Sequence, residues 1–131
     1  MSTLHASMVN ELKSTVVPLL RVKGFRGSLP HFRRPHAKGI DLLTFQFDRW
    51  GGGFVIEIAC CPPEGATMDW GEHVLPNKVT AHHLNERHRL QPREGSGRED
   101  WFRFDDGNFY VASQQVISLL PVAEQWWSEH A

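Results

Sequence analysis

The sequence predicts an α+β domain: an antiparallel sheet of about four to five strands, with N- and C-terminal helices packed on one face. Three observations predict it. Apolar residues recur at helical spacing at both ends of the chain, from Leu4 to Leu20 and from Val116 to Trp127. Between the ends, apolar and polar residues alternate with the period of a strand on either side of Gly51-Gly52-Gly53. Tight turns make such strands antiparallel, and the order helix, strands, helix puts both helices over one sheet face.

The first helix carries Leu4, Met8, Val9, Leu12, Val16, Leu19 and Leu20, with Ser2 or Thr3 as N-cap and Lys23-Gly24 as the stop signal. Pro18 removes a donor inside it, which predicts a kink or tightened turn within one helix. Phe25 to Ala37 reads as extended or looped and cation-rich, anchored by Leu29 and Phe32. Ile40 to Asp48 is a strand with Leu43, Phe45 and Phe47 on one face and Leu42, Thr44, Gln46 and Asp48 on the other. The glycine triplet supplies the positive φ angles of a tight reversal. Phe54, Ile56, Ile58 and Cys60 then share a face of the next strand, opposite Val55, Glu57, Ala59 and Cys61, and Pro62-Pro63 ends it. Phe45 and Phe47 belong with Phe54, Ile56 and Ile58 on the helix-covered face, and the other face is expected to stay partly open.

Glu64 to Asn77 is an irregular excursion containing Trp70, long enough to be a binding loop. Lys78 to Leu90 fits neither period well; the expectation is a strand through His82 and Leu84. Gln91 to Glu99 is a polar turn region, Trp101, Arg103 and Phe104 begin a strand or short extended piece, and Asp106-Gly107 or Gly107-Asn108 turns it. From Ser113 the chain is helical, with Pro121 breaking or restarting the helix.

At 131 residues the chain is expected to form one domain, residues 1–131, large enough to bury a core without staples. A net charge of −1 gives no field toward nucleic acid or anionic lipid, so neither is an expected partner. The start, MSTLHASMVNELKSTVVPLL, lacks the basic leader and apolar run of a secretory signal, and no apolar stretch is long enough to span a membrane. The adjacent Cys60 and Cys61 point to opposite faces of a strand and are not expected to be bridged. Two reduced thiols fit a cytoplasmic protein.

Each cluster with chemical capacity has a plain counterpart. His82, His83 and His88 invite a metal reading, but neighbouring strand residues face apart and no HExxH or CxxC spacing occurs, so no metal site and no cofactor is expected. A nucleophilic cysteine needs a cationic neighbour or a helix N-terminus, and an apolar strand raises a thiol's pKa instead. Arg26, Arg33 and Arg34 form one basic cluster and Arg87, Arg89, Arg93 and Arg98 a second. They suit an anionic small molecule, with solvated, locally balanced charge as the alternative. Gln46 interrupts one strand and Glu57 lies between Ile56 and Ile58. Glu57 beside an arginine such as Arg87 would be either a structural ion pair or a site, because a buried carboxylate needs a partner.

Several segments together carry a resemblance: LLRVKGFR (Leu19 to Arg26), HFRR (His31 to Arg34), TFQ (Thr44 to Gln46), FVIEIACC after the glycine turn, HLNERHRL (His83 to Leu90), DWFRF (Asp100 to Phe104) and the paired Trp126-Trp127. In order and spacing, from about Leu12 to Trp127, the chain resembles a bacterial family known as domain of unknown function 4304. It departs mildly at Trp101-Phe102, where two tryptophans would be expected. The resemblance implies a small intracellular bacterial domain and transfers no catalytic residues. Some such orphan domains sit beside polymorphic toxins as immunity proteins.

Two functions follow as expectations. The first is a non-enzymatic domain that meets a protein partner through the open sheet face and the Glu64–Asn77 loop. Its binding residues would be Gln46, Arg33, Arg34, Trp70 and Arg87, and its five tryptophans are of a type favoured at interface centres, although at least three should be core. The alternative is a small hydrolase or nucleotide-binding enzyme with Glu57 as base and arginines as an anion clamp. That requires Glu57, Arg87 and either His83 or His88 to converge.

Overall fold

The computed structural model of the protein describes residues 3–93 and 100–131. Helix α1 (Thr3–Val22) buries Met8, Leu12, Val16 and Leu20, a single ridge at every fourth position. It ends in a Schellman turn: Phe25 N–H donates to the Leu20 carbonyl and Gly24 N–H to that of Arg21, with Gly24 at φ +98°. Pro18 is exposed and the helix runs through it unbroken. The Ser14 carbonyl that loses its donor therefore lies on the outer side of the helix, where water can serve it. Ser2, one of the two expected caps, lies outside the described residues, and Thr3 is already helical.

The cation-rich stretch after α1 is a hairpin, β1 (Arg26–Ser28) and β2 (His31–His36), turned at the cis peptide Leu29–Pro30. Next come β3 (Gly39–Phe47) and β4 (Gly53–Cys61), paired from Ile40↔Cys61 to Phe47↔Phe54. Their reversal is closed by Asp48 N–H to the Gly53 carbonyl at 2.9 Å. Only Gly51 and Gly52 take positive φ, 90° and 85°; Gly53 already belongs to the strand.

The chain then makes a two-stranded ribbon, β5 (Ala66–Thr67) with β6 (His73–Val74), and a 3-10 helix at Ala81–His83. The expected strand through His82 and Leu84 is this 3-10 turn, and the strand comes later as β7 (His88–Leu90). Thr80 opens the turn, and its N–H donates to His83 Nδ1 at 2.9 Å, a local bond that competes with strand pairing. β8 (Phe102–Arg103) pairs with β4 near the turn end of that strand. The main sheet has the order β1-β2-β3-β4-β7, with β8 also on β4, all pairs antiparallel.

Helix α2 (Phe109–His130) starts four residues before the expected Ser113, because Asn108 is its N-cap and accepts from Val111 N–H. Pro121 neither breaks nor restarts it; like Pro18 it sits on the exposed side. α2 buries Ala112, Ser113, Val116, Leu120, Ala123 and Trp127. With the α1 ridge these side chains cover Leu43, Phe45, Phe54, Ile56, Ile58, Leu90 and Phe102, and Phe47 packs at the margin. Both helices thus lie on the face that alternation assigned to them.

The other face is not open as expected. Ile40, Leu42, Ala59 and Cys61 form a second buried cluster with Ala66, Val79 and Ala81. Residues 64–85 fold back as a cover, since Leu42 and Ala59 cannot be left in water at no cost. Of the five tryptophans, Trp127 is buried, Trp126 packs against the core and Trp101 is half-buried, while Trp50 and Trp70 are 85% and 75% exposed. The expectation of at least three core tryptophans overstates the count: Trp127 and Trp126 belong to the core, Trp101 lies outside it, and Trp50 and Trp70 lie on turns.

Candidate functional site

A polar rung crosses the covered face of the sheet. Register places His31 opposite Thr44, Thr44 opposite Glu57, and Glu57 opposite Arg89. The Thr44 hydroxyl accepts the Ala81 N–H at 3.2 Å, so its own proton is free for His31 Nδ1, also at 3.2 Å. Burial, and then the charge of Arg33, hold His31 below the usual imidazole range. His82 is lowered too, first by burial and then by Arg87, with Glu57 acting in the opposite direction.

Glu57 is 5% exposed and held from both sides: Arg87 Nε lies 3.3 Å from Oε1 and Arg89 Nε 2.7 Å from Oε2. The Arg89 guanidinium also stands over the Trp101 ring, 5.8 Å from its centre. A buried carboxylate clamped by two guanidinium groups has its lone pairs committed to those donors, which suits a structural ion pair better than proton abstraction. Of the two histidines expected beside it, His83 has a local partner and His88 lies on the other face. His83 Nδ1 is the acceptor at the start of the 3-10 turn. His88 pairs with Ile58, on the helix side of the sheet, and its ring is 6.3 Å from that of Trp126. A one-residue step along β7 therefore puts His88 on the opposite face from Arg89 and Glu57.

Gln46 lies one rung further along, half-buried, in a shallow depression shared with Asp48, Arg49, Trp50 and Trp101. Trp70 stands on the turn between β5 and β6, its indole N–H donating to Glu72 at 3.2 Å, beside a hollow of about 180 Å³ that includes Met68, His82 and His83.

The first basic cluster is split by the sheet. Arg34 leaves on the helix side, where its Nη1 and Nη2 reach the two Glu124 oxygens at 3.0 and 2.7 Å and its Nε reaches Asp41 at 2.9 Å. It stacks over Phe25 and Trp127, 4.6 and 5.1 Å from their ring centres. His36 Nε2 is 3.1 Å from the other Asp41 oxygen. Asp41 and Glu124 were not singled out from the sequence, although Asp41 shares the face of Leu43 and Phe45, and a charge inside an apolar face implies a partner. Arg33 leaves on the opposite face and donates through Nε to the Val79 carbonyl at 2.6 Å. Of the second basic cluster, Arg93 pairs with Asp100 at 3.0 Å and Arg98 lies outside the described residues.

Cys60 and Cys61 are both free. Burial, and then the Asp41 carboxylate, push the Cys60 thiol up to about 12. Burial and then Glu64 push Cys61 up to about 11, against the pull of Arg33. No helix among the described residues is long and apolar enough to cross a membrane.

Compared with known proteins, the chain matches one family, described as Domain of unknown function (DUF4304), over residues 16–130. No curated protein and no solved structure matches it.

Proposed function

The chain belongs to the DUF4304 family, whose description assigns no activity, and from that premise we propose a non-enzymatic domain that binds a protein partner. The partner would meet the outer surface of the 64–85 cover. The observation that carries this reading is Trp70, a large aromatic side chain left 75% exposed on a segment whose own base is anchored by Ala66, Val79 and Ala81. Leu75, 56% exposed, adds apolar surface to the same segment. Aromatic side chains on a rigid base lose little freedom when a partner covers them. The rival reading of a hydrolase acting through Glu57 has less support, since that carboxylate is held by Arg87 and Arg89 and His88 lies on the other face of the sheet. Toxin neutralisation is a special case of partner binding; a toxin gene next to this one supports it and a housekeeping operon counts against it.

The test is an affinity capture from the native host with the wild-type chain and with Trp70→Ser. A specific protein recovered by the wild type and lost with Trp70→Ser, at unchanged melting temperature, is the expected result. Equal recovery by both, or no specific protein with either, overturns the reading.

A further inference from the structure

We propose that the cleft between the β1–β2 hairpin and Pro76-Asn77 is a binding site for a small organic oxyanion, a phosphate monoester or a carboxylate, gripped between Arg26 and Arg33. The two arginines are direct register partners across β1 and β2 and so share a face. They line a cavity of about 350 Å³ with Gly27, Pro35, Pro76 and Asn77, and no carboxylate is among its lining residues. That volume lies in the range of small-molecule sites.

Like charges placed directly opposite on neighbouring strands repel. Among the described residues no carboxylate pairs with either guanidinium. Arg26 has no side-chain partner among the described residues. Arg33 gives its Nε to the Val79 carbonyl, which fixes the plane of the guanidinium and leaves both terminal nitrogens for another acceptor. Burial lowers the pKa of Arg33, whereas its neighbour Arg34 is raised by Glu124 and Asp41 despite burial. A half-buried guanidinium with two uncommitted nitrogens, in a cleft lined by no carboxylate, suits an anion. The pyrrolidine rings of Pro35 and Pro76 give the cleft apolar walls, so the favoured ligand carries its charge on a small apolar body. Asn77 offers one amide that can donate to the anion.

The test is an amide NMR titration of the whole chain with phenyl phosphate, benzoate and inorganic phosphate, following Arg26, Gly27, Arg33 and Asn77. Saturable shifts confined to these residues are expected, tighter for the aryl anions than for inorganic phosphate. Phenyl phosphate binding tighter than benzoate assigns a phosphate ligand, and the reverse a carboxylate. Arg26→Gln and Arg33→Lys should each weaken binding about tenfold to a hundredfold, the worth of one charge-assisted contact. Lys13→Gln removes the same charge from the surface of α1 and should change nothing. Arg33→Lys can disturb the bond to Val79, but Arg26→Gln breaks no hydrogen bond or ion pair among the described residues, so retained affinity in that variant overturns the proposal. So does the absence of saturable shifts with all three probes.

Discussion

Arg33 and Arg34 are consecutive in β2, yet Arg34 is bound by two carboxylates, Asp41 and Glu124, and Arg33 by none among the described residues. Strand alternation alone produces the separation, by sending the two guanidinium groups to opposite faces. On the helix side Arg34 joins β2, β3 and α2, and its neutral surroundings allow it to stack between Phe25 and Trp127. On the cover side Arg33 is positioned and left with charge to spare.

Removing Arg34 should therefore cost far more than removing Arg33. Arg34→Met leaves Asp41, 4% exposed, without its main counter-charge, and a loss of about 3 to 5 kcal/mol is expected in urea melts. Arg33→Met should cost about 1 kcal/mol, the value of its single bond to Val79. The same network has a pH signature. The hydrogen bonds from Arg34 hold the Glu124 carboxyl below its ordinary 4.5. A depressed folded-state pKa stabilises above the unfolded value and ceases to do so as pH falls through the folded one. The stability gap between wild type and Glu124→Gln should be present at pH 7 and close as pH falls below about 4; a gap of constant size would remove the role given to this pair.

Phe45→Ala should cost about 3 to 5 kcal/mol, because the ring is 2% exposed between Phe32 and Phe54 and leaves a cavity. From the sequence, Thr44→Ala on the opposite face is expected to cost much less. The structure raises that cost: Thr44 is 1% exposed and its hydroxyl serves both Ala81 N–H and His31. About 1 to 3 kcal/mol is now expected, the cost of orphaning a buried donor. Thr44→Ser keeps the hydroxyl and should recover most of that loss, which chemical denaturation of the three variants would measure.

The two thiols should be slow to alkylate. With Cys60 near 12 and Cys61 near 11, both remain protonated far above neutral pH, and thiolate forms only as pH approaches those values. Iodoacetamide at pH 8 should label the folded chain about a hundredfold more slowly than an unstructured cysteine peptide. Comparable rates in folded and unfolded protein would show that burial does not control these cysteines.

Much of the fold was legible because it rests on short-range rules. Period-four spacing placed Met8, Leu12, Val16 and Leu20 on one ridge, and alternation put Phe45, Phe54, Ile56 and Ile58 on one face before any contact was known. Both signals are local: each states which side a residue takes relative to its neighbours in the chain. What covers a face is not local. Nothing in Ala66, Val79 or Ala81 announces that residues 64–85 return to bury Leu42 and Ala59, since a few small apolar side chains in a polar loop have no period. The same limit applies to the site. Sequence grouped Arg26, Arg33 and Arg34 by proximity, but charge partners are chosen in three dimensions. Glu124 lies ninety residues from Arg34 and still neutralises it, while Arg26 and Arg33 face each other only because β1 and β2 pair in that register.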